Sequence, residues 1–85
     1  MYKYVKLGVY MLINKREILH RLSIERKKFG TQEKVAALVG ISEKSISAIE
    51  NGRINPSFET FVKICFVINA DINYIIYGDV KKGKI

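Results

Sequence analysis

From Ser42 to Asn51 the chain reads SEKSISAIEN, and its side chains offer different chemistry from the two sides of a helix. With Ile46 and Ile49 as the inward stripe, Glu43, Lys44, Ser47 and Ala48 point away from it. They supply an acceptor carboxylate, a cationic donor, a hydroxyl that both donates and accepts, and a methyl group. Such a set recognises a partner; it does not break bonds. No nucleophile stands beside a base: Ser42 is a helix cap, and Glu50 has no second carboxylate or histidine near it in sequence. "IENG" (Ile49 to Gly52) is a helix end rather than a phosphate-cradling loop. His20 has no partner at ligand spacing, so neither a metal nor a cofactor is expected, and the chain is not expected to be an enzyme.

The charge balance narrows the class of partner. Fifteen Lys and Arg against eight Asp and Glu give +7 over 85 residues, and a pI near 9.7 is the electrostatic footprint of a nucleic-acid binder. A chain of this length forms one small domain with a modest core. The single cysteine, Cys65, cannot form an intrachain disulfide and reads as a core hydrophobe within "FVKICFVI". That usage fits a reducing, cytoplasmic setting. No apolar run approaches the ~18 residues that would span a bilayer. "LGVYMLI" is followed by "NKRE" rather than a small-residue cleavage site, so it is not expected to act as a leader.

The elements that position the Ser42–Asn51 face follow from caps and stops. Residues 1–13 alternate, with Val5, Leu7, Val9, Met11 and Ile13 on one side, which is a strand pattern. Asn14 with Glu17 opens a first helix that runs to about Lys28, where Gly30 stops it. Thr31 caps a second, with Val35, Ala36, Leu38 and Val39 as its buried side. Gly40 supplies the left-handed turn of a tight joint, Ser42 caps the third helix, and Asn51-Gly52 ends it. Pro56 and Ser57 start a fourth, in which Phe58, Phe61, Val62, Ile64, Cys65 and Ile68 are largely apolar. Asp71 caps a short fifth, stopped by Gly78. The expected organisation is an extension over 1–13, an all-α five-helix domain over 14–78, and a basic tail over 79–85.

A Gly-containing turn between the second and third helices gives a helix-turn-helix, whose second helix lies in the DNA major groove. The outward residues Glu43, Lys44, Ser47 and Ala48 are then the base readers. Lys44 suits guanine O6 and N7, Glu43 cytosine N4, and Ala48 a thymine methyl.

From Ile18 to Gly78 the sequence also resembles the lambda-repressor/Cro-type helix-turn-helix proteins, the xenobiotic-response-element family. The motif residues are Ile18, Arg21, Leu22 and Arg26 in the first helix, "TQEKVAALVG" (Thr31 to Gly40), and "ISEKSISAIENGRINPSFETFVKI" (Ile41 to Ile64). One departure stands out. "FGTQ" lacks the apolar residue that family members place between the glycine and Thr-Gln, and Phe29 is expected to fill the vacated space.

The resemblance implies a compact lambda-repressor-like fold and a set of roles. Gln32 corresponds to the family's phosphate-anchoring glutamine, Asn51 and Arg53 to its second backbone clamp, and Ser45 to a phosphate or base-edge contact. Arg26 and Glu50 correspond to a structural ion pair bracing the first helix against the third. Family members carry a polar residue or alanine where Phe66 stands and an acidic one at Tyr74. With Tyr77 these form an aromatic face suited to dimerisation, together with Val5, Leu7 and Val9 of the alternating segment.

The function expected is a sequence-specific DNA-binding transcriptional regulator, a repressor of prokaryotic or phage type. It docks helix 42–51 in the groove of double-stranded DNA as a homodimer, with no membrane association. The alternatives are an antitoxin or restriction–modification controller repressing its own operon, with a toxin or anti-repressor as protein partner, and an interaction module that has lost DNA binding.

Overall fold

The computed structural model describes residues 14–79. The expected extension over 1–13 and the tail beyond Asp79 lie outside them. Among the described residues the helices are α1 (Lys15–Phe29), α2 (Gln32–Val39), α3 (Glu43–Glu50), α4 (Phe58–Val67) and α5 (Ile72–Tyr77). The fold is all-α, as the caps and stops predict.

Each helix opens on a side-chain oxygen that accepts from a backbone N–H of its first turn. Asn14 accepts from Glu17, Thr31 from Lys34, Ser42 from Ser45, Ser57 from Thr60 and Asp71 from Asn73. Such a cap is worth about 1 kcal/mol over alanine, which matters for helices as short as α5. At the other end of α2, Gly40 takes φ 93° and ψ 29°. Its N–H and that of Ile41 both bond the Ala36 carbonyl, at 2.8 and 3.0 Å. A side chain with a Cβ is strained there; glycine lets the Ser42 cap of α3 follow two residues later.

The core is drawn from all five helices and their ends. It comprises Leu19 and Leu22 of α1, Val35 and Ala36 of α2, Ile46 and Ile49 of α3, Ile64 and Cys65 of α4, and Ile68 and Ile75. α3 packs on α2 and α1, α2 on α4, and α1 on α5. Burial pushes the Cys65 thiol up to about 11, so it stays protonated and behaves as a core side chain.

Two large apolar residues lie outside the core, one of them, Leu38, expected on the buried side of its helix. Leu38 is 57% exposed, because at 3.6 residues per turn it falls about 60° beyond the edge of the arc made by Val35, Val39 and Ala36. Phe58 is 82% exposed. It continues the stripe of Phe61, Cys65 and Ile68, but it sits in the first turn of α4, beyond the edge of the core.

Arg21 ties the last helix to the first. Its Nε donates to the Ile75 carbonyl at 2.8 Å and its Nη2 to the Ile76 carbonyl at 2.9 Å. These are carbonyls at the negative end of α5, where a cation is favoured. A Cβ at position 78 would lie 3.0 Å from Arg21 Nη1, so Gly78 makes room for the guanidinium.

Candidate nucleic-acid interface

The α3 face is set by its buried stripe. Ile46 and Ile49 are 1% and 2% exposed, which turns Glu43 and Lys44 fully outward and leaves Ser47 and Ala48 half-exposed beside them. Ser45 is half-buried, and its hydroxyl lies 2.9 Å from that of Ser42 while its N–H is capped by the same oxygen at 3.0 Å. Lys44 takes part in no ion pair among the described residues, so its ammonium has no intramolecular carboxylate to leave when a partner arrives.

The chain turns back tightly after α3. The Gly52 N–H bonds the Ile49 carbonyl at 3.0 Å and the Arg53 N–H the Ala48 carbonyl at 2.8 Å. This fixes the backbone of Arg53 against the last turn of α3, with its side chain exposed and, among the described residues, unpaired. Asn51 is exposed too, with a long 3.4 Å contact from Nδ2 to Ser47 Oγ.

Beneath this surface lies a charged cluster. Arg26 Nε and Nη2 donate to Glu50 Oε2 and Oε1, each at 2.8 Å. The two side chains are only 8% and 7% exposed. A bidentate guanidinium–carboxylate pair fixes geometry as well as energy, and this one locks α1 to the end of α3. Arg26 Nη1 also donates to the Gly30 carbonyl at 3.1 Å.

Gln32 Nε2 donates to Glu50 Oε1 at 3.1 Å. An ionised carboxylate only accepts, so the amide nitrogen must face it. Gln32 is therefore held at the first position of α2, with its second amide N–H and its carbonyl unused among the described residues. Burial disfavours the Glu50 carboxylate, but hydrogen bonds from Arg26 and Gln32 and the Arg26 charge outweigh it and hold the carboxyl below its usual range. The bond to Glu50 in turn raises Arg26.

The shortened joint before Gln32 is closed by packing. Phe29 is half-buried against the core, and Lys34 Nζ stands 5.0 Å from the centroid of its ring. The stem of Lys34 crosses Gly30, where a Cβ would lie 3.1 Å from Lys34 Cδ.

The structure thus brings Gln32, Glu50, Asn51 and Arg53 together at the C-terminal end of α3. The candidate dimerisation residues are less uniform. Phe66 is 84% exposed. Tyr74 and Tyr77 are half-buried, and Tyr74 packs against the core. The aromatic face expected over Phe66, Tyr74 and Tyr77 is therefore one exposed ring rather than three, because α5 lies down on α1. Val5, Leu7 and Val9 lie outside the described residues.

Two features around this surface escaped the sequence. Arg16 and His20 line a cleft of ≈ 540 Å³ with Ser23, Glu50 and Asn51, a juxtaposition across more than thirty residues that no local pattern announces. Gln32 bonding to Glu50 was equally silent, although both residues were singled out for other roles. Among the described residues there is no metal-ligating cluster, and no helix is long and apolar enough to cross a membrane.

Comparison with known proteins gives consistent matches. The sequence profile described as Helix-turn-helix matches residues 22–75. The chain is 40% identical over 60 residues to a protein of Archaeoglobus fulgidus named "Uncharacterized HTH-type transcriptional regulator", covering 69% of this chain and 84% of that one. A second protein of the same organism and name is 40% identical over 55 residues, or 64% and 79% of the two chains. The "ImmF control region 10 kDa protein" of Bacillus phage phi105 is 38% identical over 50 residues, 59% of this chain and 56% of the relative. No solved structure matches significantly.

Proposed function

The chain belongs to the helix-turn-helix family, and from that premise we propose that it is a sequence-specific DNA-binding transcriptional regulator, acting as a repressor and binding as a homodimer. One observation carries this: the outward face of α3 presents Glu43 and Lys44 with no ion pair among the described residues, and Gln32 and Arg53 stand at its C-terminal end on a scaffold braced by Arg26 and Glu50. Docked with α3 in the major groove, Glu43, Lys44, Ser47 and Ala48 meet base edges while Gln32, Ser45, Asn51 and Arg53 meet phosphates. Repression then needs only occupancy of an operator. The naming of two relatives as transcriptional regulators and a third after a phage control region supports this class.

A lone helix-turn-helix reads too few base pairs to select one operator, so two copies on half-sites ~34 Å apart are the working unit. Phe66, the most exposed aromatic ring in the core-forming helices, is the residue proposed to meet the second copy. An antitoxin or restriction–modification controller would use the same DNA surface and add a toxin or anti-repressor as protein partner.

Gel shifts at two salt concentrations test the docking. Arg53→Ala is expected to weaken binding to all sequences alike and to reduce the magnitude of the salt slope by ~1; unchanged affinity and slope would remove Arg53 from the interface. Lys44→Ala is expected to cost ~1–3 kcal/mol on the preferred site and to relax preference at one base-pair position. A uniform loss across random sequences would instead make Lys44 a phosphate contact. A wild-type chain that shifts no DNA at low salt would leave the interaction-module alternative standing.

A further inference from the structure

Beside the start of α1 runs a groove of ≈ 360 Å³ lined by Ile18, Leu19, Pro56, Phe58, Phe61 and Ile76. Its walls are almost wholly apolar, and Phe58 on its rim is 82% exposed. Phe58, Phe61, Cys65 and Ile68 form one stripe along α4. Cys65 and Ile68 end in the core, Phe61 packs against it, and Phe58 overhangs it into the groove. Side chains of a helix lean toward its N-terminus, so this stripe covers surface beyond the first turn of α4. One end of the groove is closed by Lys15 Nζ donating to Asn55 Oδ1, which joins the start of α1 to the α3–α4 loop.

We propose that this groove is the berth of the chain's own residues 1–13, bound in cis with Val9, Met11 and Ile13 facing Ile18, Phe58 and Phe61. The inference does not depend on DNA binding. Its first support is connectivity: the segment joins Asn14, and the next residue, Lys15, already stands on the groove. An intramolecular ligand with no intervening linker has a high effective concentration.

The second support is the cap. Asn14 caps α1 with its side chain on the Glu17 N–H at 3.1 Å. In such starts the residue before the cap packs against the fourth helical residue, a hydrophobic staple that fixes how the chain enters. The residues at those two positions are Ile13 and Ile18, and Ile18 lines the groove.

The third support is composition. Apart from Lys3, Lys6 and Gly8, every residue of 1–13 is apolar or aromatic, a segment that water disfavours. Its alternation puts Ile13, Met11 and Val9 on the same side, so a staple at Ile13 aims the whole apolar edge along the groove. The edge meant for a partner strand is then spent within one chain, leaving the Phe66 region for the second copy.

A nitroxide placed through Gly8→Cys, on the opposite edge of the segment, tests this in the full-length protein. Cys65 is buried and stays unlabelled. The amide signals of Ile18, Phe58, Phe61 and Ile76 are expected to broaden selectively, and adding Phe58→Lys to the same chain should restore them. Two mixtures of chains separate cis from trans. Diluting labelled, isotopically enriched chain into excess plain wild type should leave the pattern intact, whereas enriched chain without nitroxide should stay sharp beside labelled partners. Broadening of that second chain would mean exchange of the segment between copies and overturn the proposal. So would broadening centred on Phe66, or broadening indifferent to Phe58→Lys, which the tether alone would produce.

Discussion

Replacing Glu50 by alanine is expected to lower stability by about 3 kcal/mol, because it strands the Arg26 guanidinium in a site built for a pair. The Gly30 carbonyl remains as its partner but neutralises no charge. For a domain this small that loss should lower the melting temperature by more than ~10 °C. The same substitution frees Gln32, so affinity for DNA should fall even at temperatures where the variant is folded. A variant with the wild-type melting temperature and lost binding would mean that Glu50 acts at the DNA and not as a brace.

The pH dependence has a definite sign. The folded state holds the Glu50 carboxyl below its usual 4.5, so the stability it contributes is fully present above that pH. It is lost as pH falls through the lower, folded value. Acid unfolding should accordingly be steeper in wild type than in Glu50→Gln, which keeps the shape and has no proton to take up. Superimposable acid transitions would contradict this account.

Ile46→Ala should be nearly as damaging for a different reason. Ile46 is 1% exposed on the inner side of α3, and deleting a buried Ile side chain costs ~2–5 kcal/mol in lost transfer energy and residual cavity. That is a large share of the ~5–15 kcal/mol that holds a small domain together. Because Ile46 points away from the outward face, base preference should survive wherever the variant is still folded. Urea titration measures the first effect, and binding to single-position operator variants at low temperature measures the second. A changed base preference with unchanged stability would reverse the assignment of the two sides of α3.

The helix pattern was legible because its signals are local. Asn14, Thr31, Ser42, Ser57 and Asp71 each place an oxygen within three residues of the N–H it caps, and Gly40 marks the left-handed turn. Type alone did not decide burial. Leu38 and Phe58 are as apolar as their buried neighbours, but one lies off the inward arc of α2 and the other past the edge of the core. Tyr74 went the opposite way, drawn against the core because α5 lies across α1.

The clamp of Arg21 on the carbonyls of Ile75 and Ile76 was not legible either. It joins residues 54 and 55 positions apart, and nothing in the five residues around Arg21 points to it. The outward face of α3 was readable from the spacing of Ile46 and Ile49. The orientation of Gln32 by Glu50 required the packed structure, since it depends on where the Arg26 pair sets the carboxylate.

On the proposed docking, α3 reads bases in paired half-sites. Selection of bound sequences from a random double-stranded DNA pool, run in parallel with wild type and Lys44→Ala, tests it most directly. Wild type should enrich a two-fold-symmetric site with half-sites ~34 Å apart, about one helical turn, and Lys44→Ala should lose preference at one symmetry-related position in each half. No enrichment by wild type at physiological salt, or an identical site enriched by both proteins, would contradict it.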